Sequence, residues 1–157
     1  MFGRFGKPPA TLLLSCVLAA LFAPASASDG GPAVATPRER SLAAQSFINE
    51  KLWIWQKRLK LQNWNISVLM CAPTDLKPRT LGNIHWDADK KSAMIRVLEP
   101  AHYHVPFREM LDDMEFTVVH ELIHLELSSL PRSDASRSAE EHAVNQITEA
   151  LLRLDRR

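Results

Sequence analysis

Between residues 38 and 61 the apolar positions Ala44, Ile48, Leu52, Trp55 and Leu59 recur at intervals of four and three. That spacing predicts an amphipathic helix with one buried stripe. Glu39, Arg40, Glu50, Lys51, Lys57 and Arg58 are expected on its solvated faces, with Trp53 off the stripe. Asn63-Trp64-Asn65 interrupts the period, and Ile66 to Cys71 reads as a strand. Pro73, Pro78 and Gly82 mark a loop. Two further strand-like runs follow, Asn83 to Asp87 and Ser92 to Leu98, joined as a hairpin by Ala88-Asp89-Lys90-Lys91. Three such strands predict a small, mostly antiparallel sheet, which needs a helix on one face to be stable.

Beyond Glu99-Pro100 a linker leads to a helix expected from about Phe107 to Ser129 and stopped by Pro131. Phe116, Val119, Ile123 and Leu127 lie on one side of it, Val118, Leu122 and Leu125 on the other. Apolar residues on both sides imply burial on both sides, between the sheet and another helix. A last helix is expected from Ser138, with Val144, Ile147, Leu151 and Leu154 as its stripe. The order of elements defines an α+β class, with residues 38–157 as one domain.

The front of the chain has a different character. Arg4 and Lys7 precede an apolar run from Thr11 to Phe22, and Ala25-Ser26-Ala27 supplies small residues for a signal peptidase. Residues 1–27 are therefore expected to be a signal peptide, and 28–37, rich in small residues, a flexible leader. The product would be exported, periplasmic or secreted, with no stable membrane span once the signal is cleaved. Leu13-Leu14-Ser15-Cys16 resembles a lipobox, but the apolar run continues past Cys16, which favours removal over lipidation. Cys71 is then the one cysteine of the mature chain, so no internal disulfide is available and the core must supply the stability. Asn65-Ile66-Ser67 matches a glycosylation sequon and is read as a chance match. Removing Arg4 and Lys7 turns 19 basic against 18 acidic residues into 17 against 18. A near-neutral chain without a basic block argues against a nucleic-acid partner.

The chemistry sits in the central helix, at His120-Glu121-Leu122-Ile123-His124. Residues four apart share a helix face, so His120 and His124 can grip one metal ion, with Glu121 turned by about 100° to stand beside it. This is the arrangement of two zinc ligands and a general base for a metal-bound water. A catalytic zinc takes three protein ligands and keeps one position open. The last helix offers Glu140, Glu141, His142 and Glu149. Glu140 lies about 40° from Val144 and about 20° from Ile147 and Leu151, within the expected buried stripe. Ser138-Ala139-Glu140-Glu141 fits a capping box that would occupy Glu141 locally. Glu140 is thus the expected third ligand. Glu141 is the alternative, because a one-residue error in the helix start exchanges their roles. His102 and His104 are expected as exposed loop histidines, and Tyr103 as a candidate near the cleft for stabilising an oxyanion.

His120-Glu121-Leu122-Ile123-His124, followed by Glu140-Glu141-His142-Ala143-Val144-Asn145, resembles the gluzincin metallopeptidases. It looks most like their small single-domain forms, the minigluzincins, and phage-associated or uncharacterised bacterial relatives, over Leu61 to the C-terminus. The metzincin spacing of a third histidine is absent, and no second subdomain walls the cleft. The resemblance implies a zincin-like fold, zinc held by His120, His124 and Glu140, and Glu121 as proton acceptor and donor. It further implies hydrolysis of peptide bonds in extracytoplasmic peptides or unfolded segments, aligned by β-addition along an edge strand, for which Ser92 to Leu98 is the candidate. The competing readings are a non-hydrolytic domain that keeps zinc for folding, which has no use for Glu121, and a helical interaction module built on the tryptophans.

Overall fold

The computed structural model describes residues 35–131 and 133–157. The expected signal peptide, the Cys16 motif and most of the leader lie outside them. The first helix, α1 (Pro37–Arg58), begins one residue earlier than the periodicity suggests. Thr36 is its N-cap: its hydroxyl accepts from the Glu39 amide while the Glu39 carboxylate accepts from the Thr36 amide, and Pro37 fills the first position. Ala44, Ile48, Leu52 and Trp55 are buried as the period requires. Trp53 is exposed.

Three strands follow, β1 (Asn65–Cys71), β2 (Gly82–Asp87) and β3 (Ser92–Leu98). They form a mixed sheet in the order β1-β3-β2, with β1 parallel to β3 and β2 antiparallel to it. This corrects the expectation of a mostly antiparallel sheet. Only the tight 88–91 hairpin dictates a neighbour; the longer 72–81 connection carries the chain across to the far edge, so β3 returns into the middle. The same order removes Ser92–Leu98 as a peptide-binding edge, because both sides of β3 are paired. The edge nearest the central helix belongs to β2.

Helix α2 (Phe107–Glu126) is packed against α1, β2, β3 and the last helix, α3 (Asp134–Asp155). Its apolar residues are buried on both sides, among them Met110, Met114, Val118, Val119, Leu122 and Leu125. Among the described residues no helix is long and apolar enough to cross a membrane.

Two departures concern charged and polar positions. Lys51 does not simply face solvent: its ammonium lies 2.9 Å from Glu115, a buried carboxylate on α2 that also accepts from the Trp55 indole N–H at 2.9 Å. Helix α3 starts at Ser133, five residues before the expected Ser138, through reciprocal bonds between Ser133 and Ser136. Its buried stripe is Val144, Thr148 and Leu152, while Ile147 and Leu154 are 43 % and 64 % exposed. Thr148 can be buried because its hydroxyl donates to the Val144 carbonyl at 2.8 Å. Counting Thr148 as inward-facing turns the packed face by about 80° from the one expected.

Gly82 fixes how closely β2 approaches α2. A Cβ there would stand 2.3 Å from Thr117 Cγ2 and 2.6 Å from the Arg96 carbonyl oxygen. The carbonyl belongs to the central strand, and Thr117 is held by a 2.9 Å bond from its hydroxyl to the Asp113 carbonyl. Gly82→Ala is therefore expected to destabilise the fold by roughly 1–3 kcal/mol, as overpacking does. Urea or guanidinium unfolding measures this, and unchanged stability would show that the strand can move aside freely.

Candidate metal centre

Helix α2 presents His120 and His124 one turn apart, with their Nε2 atoms 3.1 Å from each other. The other two corners of the site come from α3. Glu141 places Oε2 3.5 Å from His120 Nε2 and Oε1 3.3 Å from His124 Nε2. Glu140 stands behind His124, 3.0 Å from its Nδ1. As a carboxylate it can only accept, so it holds the Nδ1 proton and leaves a lone pair on Nε2. The expected and alternative roles of the two glutamates are thus exchanged in the geometry. Glu141 faces the two Nε2 atoms and Glu140 orients a histidine from the rear.

This exchange follows from the rotated face of α3. With Val144, Thr148 and Leu152 inward, Glu141 lies near the middle of the packed face and Glu140 at its border. Glu141 is nonetheless the more exposed side chain, 51 % against 19 % for Glu140, because it projects into an open cleft. Asn145, one turn beyond Glu141, also lines that cleft and hydrogen-bonding from it favours the charged form of His120. Burial, and after it the neighbouring His124, nevertheless lower the His120 pKa below the usual value. His120 Nδ1 is buried without a hydrogen-bond partner among the described residues.

The three residues form a group that could hold a metal ion. Tetrahedral zinc with bonds of about 2.0–2.1 Å places its ligand atoms about 3.3 Å apart. The two Nε2 atoms are 3.1 Å apart, and the Glu141 carboxylate straddles them, with Oε1 3.3 Å from His124 and Oε2 3.5 Å from His120. Two imidazole nitrogens and a carboxylate oxygen also suit zinc chemically. His120, His124 and Glu141 are the group among the described residues with metal-ligand spacing.

Glu121 is buried beside this cluster, and its carboxyl is pushed up to about 7. Burial is the main cause, the negative charge of Glu141 adds to it, and Lys77 opposes it. The cleft has a volume of about 840 Å³. One wall is the 77–86 segment, including β2; the other is formed by Phe116, Thr117, His120, Glu121 and His124 of α2, with Glu140, Glu141 and Asn145 of α3. No residue of α1 lines it.

The remaining candidates stand apart. His102 pairs with Glu99 at 3.1 Å, His104 is an exposed loop residue, and His142 is exposed on α3. Glu149 lines a separate groove with Asp112 and Arg153. Tyr103 does not line the cleft: it packs on the core with its hydroxyl buried and without a partner among the described residues, and burial raises its pKa far above the ordinary value. Cys71 is half-buried, and burial chiefly raises its thiol pKa. The edge role of β2 escaped the sequence reading, although Gly82 at its start is the signal of a close approach.

No protein-family model, curated protein or solved structure matches this chain.

The two glutamates are expected to separate on mutation. Glu141→Ala should abolish tight zinc binding, whereas Glu140→Ala, which removes a support of His124 and no ligand, should weaken it by about 10–100-fold. Competition against a chromogenic chelator distinguishes them, and equal losses would contradict the assignment.

Proposed function

We propose that the protein is a zinc metallopeptidase acting on extended peptide segments. The observation that carries the reading is the convergence of two imidazole Nε2 atoms and one carboxylate that reaches both, with a buried carboxyl beside them in a cleft bordered by a strand edge. In this reading His120, His124 and Glu141 hold the ion. When bound, zinc lowers the pKa of water and polarises a carbonyl oxygen.

The chain's own residues supply the rest. The Glu121 carboxylate accepts a proton from the attacking water and returns it to the nitrogen of the departing amine, so atoms and charge balance over the cycle. A group whose pKa lies near 7 is suited to both halves of that task. Glu140 keeps the His124 proton on Nδ1 and the ring in place.

Substrate alignment falls to β2. Leu98 N–H donates to the Leu81 carbonyl at 2.8 Å, which sets the alternation of the β2–β3 ladder. Continuing it pairs Asn83 and His85 with β3 and turns the N–H and C=O groups of Gly82 and Ile84 outward. Those groups offer an extended peptide main-chain hydrogen bonds along the cleft. The segment 1–27, read as an export signal, supports substrates outside the cytoplasm.

Glu121→Gln keeps the shape of the site and removes its base. It is expected to retain one zinc per chain and to lose peptide hydrolysis by at least about 100-fold. Turnover of a library of quenched fluorescent peptides, alongside metal analysis, tests this. Hydrolysis by the variant at the wild-type rate would overturn the mechanism.

A further inference from the structure

The wall of the cleft facing the histidines carries two cations to which the proposed reaction assigns no contact with the substrate. Lys77 and Arg79 both line the cleft, in the segment leading into β2. Neither forms a hydrogen bond or ion pair through its side chain among the described residues. They are nevertheless not carried on a loose loop. Leu76, immediately before them, is buried, and Leu81, after them, is tied to β3 through its carbonyl. Between these anchors the chain makes a turn closed by the Thr80 amide on the Lys77 carbonyl at 3.2 Å, reinforced by the Thr80 hydroxyl on the same oxygen at 2.9 Å.

Arg79 sits at the third position of that turn with φ of 66°, following Pro78. A type II turn requires a positive φ there, and glycine or asparagine is the residue that takes it without strain. Lys60 and Lys91 adopt a positive φ at their own turns, so the conformation sets where the Arg79 side chain starts without by itself assigning it a role. Two cations without an ion pair, carried on an anchored turn at the rim of the cleft next to the start of a strand edge that is unpaired among the described residues, make a receptor for an anionic group.

Resting on the metallopeptidase reading for the cleft, we propose that Lys77 and Arg79 select peptide substrates carrying a carboxylate, bound at the end of the peptide that reaches the start of β2. A glutamate or aspartate side chain and a free C-terminus share this chemistry. A peptide running antiparallel to β2 brings its C-terminal end to the 77–80 turn.

The test is equilibrium binding, so that it does not depend on turnover. Four octapeptides of one sequence are compared, ending in Glu or Gln and with a free or amidated C-terminus, on zinc-loaded Glu121→Gln protein. Peptide fluorescence anisotropy gives the affinities. A carboxylate is expected to tighten binding by about tenfold at low salt, as a charge-assisted hydrogen bond does. The gain should fall to within about twofold in the Lys77→Gln/Arg79→Gln double variant. Preference for the Glu side chain or for the free C-terminus identifies the source of the carboxylate.

Arg79→Gly gives an independent reading, because glycine suits the positive φ. It should lose most of the preference while its thermal midpoint stays level or rises, whereas a structural arginine would lower the midpoint. Equal affinity for charged and neutral peptides, or an undiminished preference in the variants, overturns the proposal. Wild-type protein that cleaves acidic and neutral peptides equally, with no binding preference, defeats this inference and leaves the hydrolytic reading standing. Preferential binding without any cleavage does the reverse.

Discussion

On the faces of α2 enclosed by the sheet and by two other helices, polar side chains cannot be left to water, so each buried polar group there must find a partner or change its protonation. Burying an unpaired charge is among the most unfavourable events in folding. The organisation of the molecule can be followed through the ways α2 meets this condition. Thr117 returns its hydroxyl to the Asp113 carbonyl. Glu115 is met by Lys51 and Trp55, which ties α1 to α2 at a position five residues before His120. His124 is met by Glu140 of α3. Glu121 has no hydrogen bond or ion pair among the described residues, and its carboxyl responds by titrating near 7.

The same condition accounts for the shape of the centre. The neighbouring elements are brought in by apolar packing, through Ile48 and Trp55 of α1, Ile95 and Val97 of β3, and Val144 and Leu152 of α3. That packing delivers the partner groups at set positions. Gly82 then lets β2 come against α2 at Thr117, one turn before His120, so that a strand edge borders the cleft. Rigid packing is what a metal centre requires if its donors are to keep their spacing.

Much of this was legible in the sequence, and the parts that were not share a cause. Hydrophobic period located α1, α2, α3 and the hairpin, and the burial of α2 on both sides followed from Val118 and Leu122 lying on a different side from Val119 and Ile123. Sequence pattern is blind, however, to polar residues satisfied by their own surroundings. Thr148 is buried through its bond to the Val144 carbonyl, which turned α3 and exchanged Glu140 with Glu141. Glu115 and Lys51 read as surface residues until each is seen to partner the other. Capping patterns mislead in the same way: Ser138 with Glu141 fits the familiar box, but Ser133 with Ser136 starts the helix earlier. Strand order was missed for a different reason, since a ten-residue connection leaves the neighbour of β1 undetermined.

The central claim is that one zinc ion binds between α2 and α3 and that Glu141 completes its ligand set. A crystal structure of the zinc-loaded protein, with anomalous diffraction recorded on both sides of the zinc edge, tests it most directly. A single strong anomalous peak is expected about 2.0–2.2 Å from Nε2 of His120, Nε2 of His124 and one oxygen of Glu141, with Glu140 remaining on His124 Nδ1. A peak ligated by Glu140 in place of Glu141, or no ordered zinc at the two histidines, would contradict it.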